Sequence, residues 1–230
     1  MIDIVILNRN LRLNDNAALF YGSLRSDYIV VYLYDENYWK ANGKSSRQLK
    51  FSNDCLEELD NSLKNIGSEI NIFEGSFNDL QKWIETSFND YFIHMNHCTD
   101  INYFREGFKK FKKDFGKRLK VYDDFGLQLS NFDRETWSKN WNDIMHLDLH
   151  DAPLKNKNSN KINLTKFGEF KNKIKNKFTE LKNIQKGGTS HANELLESFL
   201  NTRCEDYRIK MSSPILSEKS CSRLSPHFTY

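Results

Sequence analysis

The first 122 residues alternate short apolar runs with amphipathic stretches, and this alternation constrains the fold more than any other feature of the chain. Ile2–Leu7 reads as a buried strand, and Tyr28–Tyr34, Glu69–Phe73, Tyr91–His94 and Leu119–Tyr122 read as four more. Between them lie segments of helical period: Asp15–Ser23, with Asn14 or Asp15 as its N-cap, then Ser46–Ile66, Phe77–Glu85 and Asn102–Phe115. In the longest, Leu49, Leu56, Leu59, Leu63 and Ile66 recur at helical spacing, and Gly67 stops it. Such alternation predicts an α/β fold, a doubly wound five-stranded parallel sheet with helices on both faces. Ligands of such sheets sit at the carboxyl ends of the strands, near the topological switch point.

The pattern stops after Tyr122. From Phe125 to about Gly187 there is little periodicity, which suggests a connector with local helices, one around Trp137–His146. A helix resumes at Ser190–Arg203, with Leu195, Leu196, Phe199 and Leu200 apolar. The expected division is therefore 1–124, an α/β domain; 125–186, a connector; and 187–230, the start of a helical unit.

Composition excludes several classes. Seventeen Phe, ten Tyr and four Trp argue against general disorder. No apolar run approaches the roughly 20 residues of a membrane span, and the N-terminus has no basic region of the kind a signal peptide carries. Cys55, Cys98, Cys204 and Cys221 lie far apart, with no CxxC, which fits a reduced cytoplasm better than a disulfide framework or a zinc site. Net charge is +3, but Lys155–Lys186 holds ten Lys against Glu169 and Glu180, a local +8. The expectation is a solvated connector, with a nucleic-acid-facing stripe as the competing reading.

No GxGxxG follows the first strand and no GxxxxGK[ST] occurs. His94 with His97, and His146 with His150, lack a third ligand nearby and do not make a metal site. Gly187-Gly188-Thr189 reads as a turn and helix cap. Two further segments carry more. Asn8-Arg9-Asn10-Leu11-Arg12-Leu13-Asn14-Asp15-Asn16-Ala17-Ala18-Leu19 follows the first strand. Near the C-terminus, Phe199-Leu200, Arg203 and Tyr207 precede Cys221-Ser222-Arg223-Leu224-Ser225-Pro226-His227.

Taken in order, these segments resemble the DNA photolyase/cryptochrome family, whose start reads roughly R-x-L-R-x-x-D-N-x-A-L and whose cofactor domain opens with G-G…A…L…F-L…Y and T-S-x-L-S-P-H. Gly187, Gly188, Ala192, Leu195, Phe199, Leu200, Tyr207, Ser222, Leu224, Ser225, Pro226 and His227 fit that order. The resemblance implies strand one between strands two and four. It also implies an FAD site to which Tyr207, Cys221, Ser222, Arg223, Leu224 and Ser225 contribute: Ser hydroxyls and backbone N–H groups at a turn suit a pyrophosphate. Lys210 is the DNA-facing candidate, since Met211 stands where repair enzymes of the family often carry Arg. Cys221 replaces the usual Thr. The Asn-Glu pair that helps bind a folate antenna falls on Ile101 and Asn102, so the antenna chromophore is left open.

The implied activity is light-driven repair of cyclobutane pyrimidine dimers in UV-damaged DNA, with a cryptochrome-like photoreceptor or a stand-alone nucleotide- or chromophore-binding module as alternatives. No catalytic residue is assigned. Because the family continues past this point into a further helical domain, the chain is expected to be a truncated form, inactive alone, cytoplasmic and monomeric.

Overall fold

A computed structural model describes residues 1–97, 102–123, 133–157, 162–178 and 180–230. Strands β1 (Ile2–Leu7), β2 (Tyr28–Tyr34), β3 (Ile70–Glu74), β4 (Tyr91–Asn96) and β5 (Leu119–Tyr122) pair in parallel, with β1 between β2 and β4. Every residue of β1 and β2 is buried, as expected of parallel strands covered on both faces. Right-handed crossovers place α1 (Ala17–Ser23) and α3 (Ser46–Lys64) on one face. The same rule puts α4 (Phe77–Ser87) and α5 (Asn102–Phe115) on the other.

Local chemistry fixes the helix starts. Ser45 with Gln48, and Ser76 with Asp79, form reciprocal capping boxes at α3 and α4. The N-cap of α1 is Asn16 rather than Asn14 or Asp15: its Oδ1 accepts from the Leu19 N–H at 3.2 Å, while Asp15 sits at φ 50° in the turn. One helix escaped the sequence reading. The six-residue α2 (Glu36–Ala41), capped by Asp35, is too short to display a period.

The connector departs most from expectation. Helix α6 (Arg134–Met145) is exposed along its length, but residues 150–157 run as a strap across the domain. His150 carbonyl accepts from the Asp15 N–H at 3.0 Å, Leu154 N–H donates to Ser23 Oγ at 2.8 Å, and Asn156 N–H donates to the Ile66 carbonyl at 2.8 Å. Residues Thr165–Lys166 then add a sixth strand, β6, antiparallel to β3, so the sheet is mixed rather than purely parallel. Helix α7 (Phe167–Ile174) buries Phe167, Phe170 and Ile174. The middle of the Lys-rich stretch is thus docked through β6, α7 and four of its lysines. Lys166 pairs with Glu69 at 2.7 Å, Lys173 with Glu74 at 2.5 Å, Lys177 with Glu36 at 2.9 Å, and Lys171 with Glu57. Those four carboxylates offset about half of the local charge that suggested a nucleic-acid stripe. Among the described residues no helix is long and apolar enough to cross a membrane.

Candidate cofactor-binding site

The segment after the connector is seated on α3 by two glycines. A Cβ on Gly187 would lie 2.3 Å from the Phe51 carbonyl oxygen, so only glycine allows this approach. Gly188, at φ 108°, caps α8 (Thr189–Ser198) without a side chain of its own. Instead α3 supplies the acceptors: Gly188 N–H donates to Cys55 Sγ at 3.2 Å and Ser190 N–H to Glu58 Oε1 at 2.9 Å. Burial pushes the Cys55 thiol up to about 12.

The helix expected over Ser190–Arg203 changes pitch at its end, where Phe199–Arg203 form a π turn. That turn aims the Arg203 guanidinium at two carbonyls, Leu195 at 2.6 Å and Cys221, which lies eighteen residues on. Helix α9 (Tyr207–Lys210) and α10 (Ser217–Ser220) pack on each other, and α10 delivers the chain into the Cys221–Ser225 loop.

Arg223 in that loop adopts φ 63°, the left-handed region a non-glycine residue enters only when its surroundings hold it there. Gln185 Nε2 donates to the Arg223 carbonyl at 2.6 Å, the Arg223 guanidinium lies 3.7 Å from Glu218, and Leu224 is buried as an anchor. The N–H groups of Ser222, Arg223, Leu224 and Ser225 donate to no described residue, and neither do the hydroxyls of Ser222 and Ser225. Unengaged amides beside a left-handed residue are the donor set that backbone anion sites use, so the loop is a candidate pyrophosphate cradle.

The other candidates fall at differing places. Tyr207 stands edge-on to Phe199 at 5.7 Å and is partly exposed, on the helix that packs against α10. Lys210 is held by Asp206 one turn back. Arg12 closes its own turn, donating through Nη2 to the Asp15 carbonyl at 2.6 Å. Asn96, the last residue of β4, donates through Nδ2 to Oδ1 of Asn16, the N-cap of α1, at 3.0 Å, beside the topological switch point between β1 and β4. A cavity of about 420 Å³ separates this turn from α8 and is lined by Leu11, Arg12, Cys55, Leu196, Leu224 and His227. Burial, with His191 nearby, holds His227 below the usual imidazole range. The position of Ile101 lies outside the described residues, and nothing is described of the Asn102 side chain.

A model of the DNA photolyase family matches residues 4–91. The (6-4) DNA photolyase of Arabidopsis thaliana is 30% identical over 95 residues, covering 35% of this chain and 17% of that protein. Over residues 4–91 the chain is similar to the DNA photolyase family. Solved photolyases share the fold. An archaeal photolyase from Sulfolobus tokodaii, determined with two FAD molecules, superposes with a TM-score of 0.72 at 23% identity, over 100% of this chain and 52% of that one. A class III photolyase from Agrobacterium tumefaciens gives 0.71 at 18% identity, over 98% and 49%. The cryptochrome of Synechocystis sp. PCC6803 gives 0.67 at 15%, over 91% and 48%. The chain thus spans about half the length of these structures. Its α/β part shares the Rossmann-like fold of the photolyase N-terminal domain, and the helices from α8 onward match the start of the helical region that follows it.

Sequence reading missed one buried network. Asp3, inside apolar β1, accepts from both Arg25 and His94 Nε2, and His94 Nδ1 lies 2.8 Å from the Tyr122 hydroxyl. A carboxylate only accepts, so His94 Nε2 is the donor in that pair. The signal was an acid within a fully buried strand, which requires a cationic partner.

Proposed function

We propose that this chain provides the antenna-side α/β domain and the pyrophosphate cradle of an FAD-dependent photolyase that repairs cyclobutane pyrimidine dimers. The observation that carries this reading is the Cys221–Ser225 loop, with four unengaged amides, two free serine hydroxyls and a left-handed Arg223. FAD, when bound, supplies the light-driven electron to the dimer. The residues of the chain do the holding. The amides of Ser222–Ser225 would donate to phosphate oxygens, and the Arg223 guanidinium would offset their charge. Arg203, clamped on the Cys221 carbonyl, keeps the loop from relaxing when it is empty, so little ordering cost falls on binding. Tyr207 would border the flavin, and Lys210, in exchange for Asp206, would meet a DNA phosphate.

The experiment is light-dependent repair of a thymine-dimer oligonucleotide by the protein in its natural extent, against Ser222→Ala/Ser225→Ala. Repair that falls at least tenfold in the variant, and recovers with excess FAD, is the expected result. Wild-type flavin binding without repair would favour the photoreceptor reading of the same loop.

A further inference from the structure

The strongest solvent-facing charge of the molecule is not the Lys-rich connector but α5 and the turn that follows it. Between Arg105 and Lys120 stand eight Lys and Arg against Glu106 and Asp114, a net +6 in a chain of net +3. The helix turns Phe108, Phe111 and Phe115 into the core, so Arg105, Lys109, Lys112 and Lys113 share the outer face and are exposed. Lys117 and Arg118 prolong the row into the turn, and Lys120 extends it onto the edge strand β5. Arg118 is held in place over the Tyr91 ring at 5.1 Å. Lys109 alone in this row carries an ion pair, with its neighbour Glu106, while Lys110 donates to the neutral Asn78. Lys112, Lys113, Lys117 and Lys120 have no acidic partner among the described residues. In the connector, by contrast, Lys166, Lys171, Lys173 and Lys177 each pair with a glutamate of the α/β domain.

We propose that this face docks the phosphate backbone of duplex DNA without regard to sequence or damage. From Arg105 to Lys113 the helix rises about 12 Å, which spans three to four phosphate steps of roughly 3.4 Å on one strand. The turn and β5 extend the row toward the second strand. A membrane is the poorer occupant, because the apolar side of α5 is spent in the core and none is left to enter lipid. Single strands are disfavoured too, since every aromatic residue between Arg105 and Lys120 is buried and offers no stacking platform. The face lies across the sheet from α3, on which α8 and the cofactor loop are seated, so it is a contact separate from flavin or lesion binding.

The test is fluorescence anisotropy of a labelled, undamaged 20-base-pair duplex, in the dark, titrated with the 230-residue protein from 50 to 200 mM salt. About six phosphate contacts give a log–log salt slope near −5 and a loss of about a thousandfold across that range. Lys109→Gln/Lys112→Gln/Lys113→Gln should reduce the slope by about three and weaken binding at least tenfold at 50 mM. It should leave the thermal midpoint unchanged. The charge-matched control Lys139→Gln/Lys155→Gln/Lys182→Gln should stay within threefold of wild type. An equal loss in the control, no binding at 50 mM, or tighter association with phosphatidylcholine–phosphatidylserine vesicles than with the duplex would overturn the proposal.

Discussion

Replacing Asp3 with Asn probes the buried charge network of the sheet. Asp3 is 1% exposed, and its carboxylate accepts from Arg25 Nε at 2.7 Å, from Arg25 Nη2, and from His94 Nε2 at 2.8 Å. Burial alone would push this carboxyl up, but the hydrogen bonds from His94 and Arg25 outweigh it and hold it below the usual carboxylate range. Unpairing a buried charge costs about 3–5 kcal/mol when the stranded partner stays buried. Here the Arg25 side chain is 40% exposed and re-solvates in the variant, and Asn keeps one acceptor oxygen. The expected loss is therefore nearer that of one charge-assisted hydrogen bond, about 2–3 kcal/mol at pH 7. For a chain of this length it corresponds to a fall of roughly 5–10 °C in Tm. The sign with pH follows from the depressed value. The contribution is complete above the unfolded pKa near 3.9 and is lost as pH falls through the lower folded value. Urea unfolding followed by circular dichroism should show the gap between wild type and variant narrowing below about pH 4. A gap under about 0.5 kcal/mol at pH 7, or one that widens on acidification, would refute the reasoning.

Other consequences are as direct. Phe170→Ala removes a side chain 1% exposed from α7; it should cost about 3–5 kcal/mol and open residues 162–178 to limited proteolysis, which an unchanged digest would contradict. Gly187→Ala forces a Cβ against the Phe51 carbonyl, so α8 should undock and its amide exchange protection fall while that of β1 and β2 persists. With Cys55 buried and its thiol pushed up to about 12, Ellman's reagent at pH 8 should label Cys204 and Cys221 in the native protein and reach Cys55 only after unfolding.

The sheet was legible because β1 and β2 are continuous apolar runs that only a doubly covered parallel strand accommodates. The strap was not. Phe167, Phe170 and Ile174 do keep helical spacing, but the surrounding lysines mask it, and the carboxylates that neutralise them lie about a hundred residues earlier in the chain. The cofactor loop was legible only as a motif. Its geometry depends on Arg223 adopting φ 63° and on Arg203 reaching Cys221, a backbone angle and a long-range contact that no local pattern encodes. The basic face of α5 was present in the sequence throughout. It became informative only once the structure showed which lysines have partners.

The cradle itself is tested most directly by backbone amide NMR of the 230-residue chain during titration with FAD. Hydrogen bonds worth about 1.5–3 kcal/mol each, where charged groups take part, oppose an immobilisation cost of about 4–15 kcal/mol. Binding by this polypeptide alone should accordingly be weak, in fast exchange, and lost on desalting. The account predicts shifts concentrated on the amides of Ser222, Arg223, Leu224 and Ser225, with smaller ones at Tyr207, and their disappearance in Ser222→Ala/Ser225→Ala. Shifts centred instead on Asn8–Asn16 at the strand ends, or none at millimolar FAD, would contradict it.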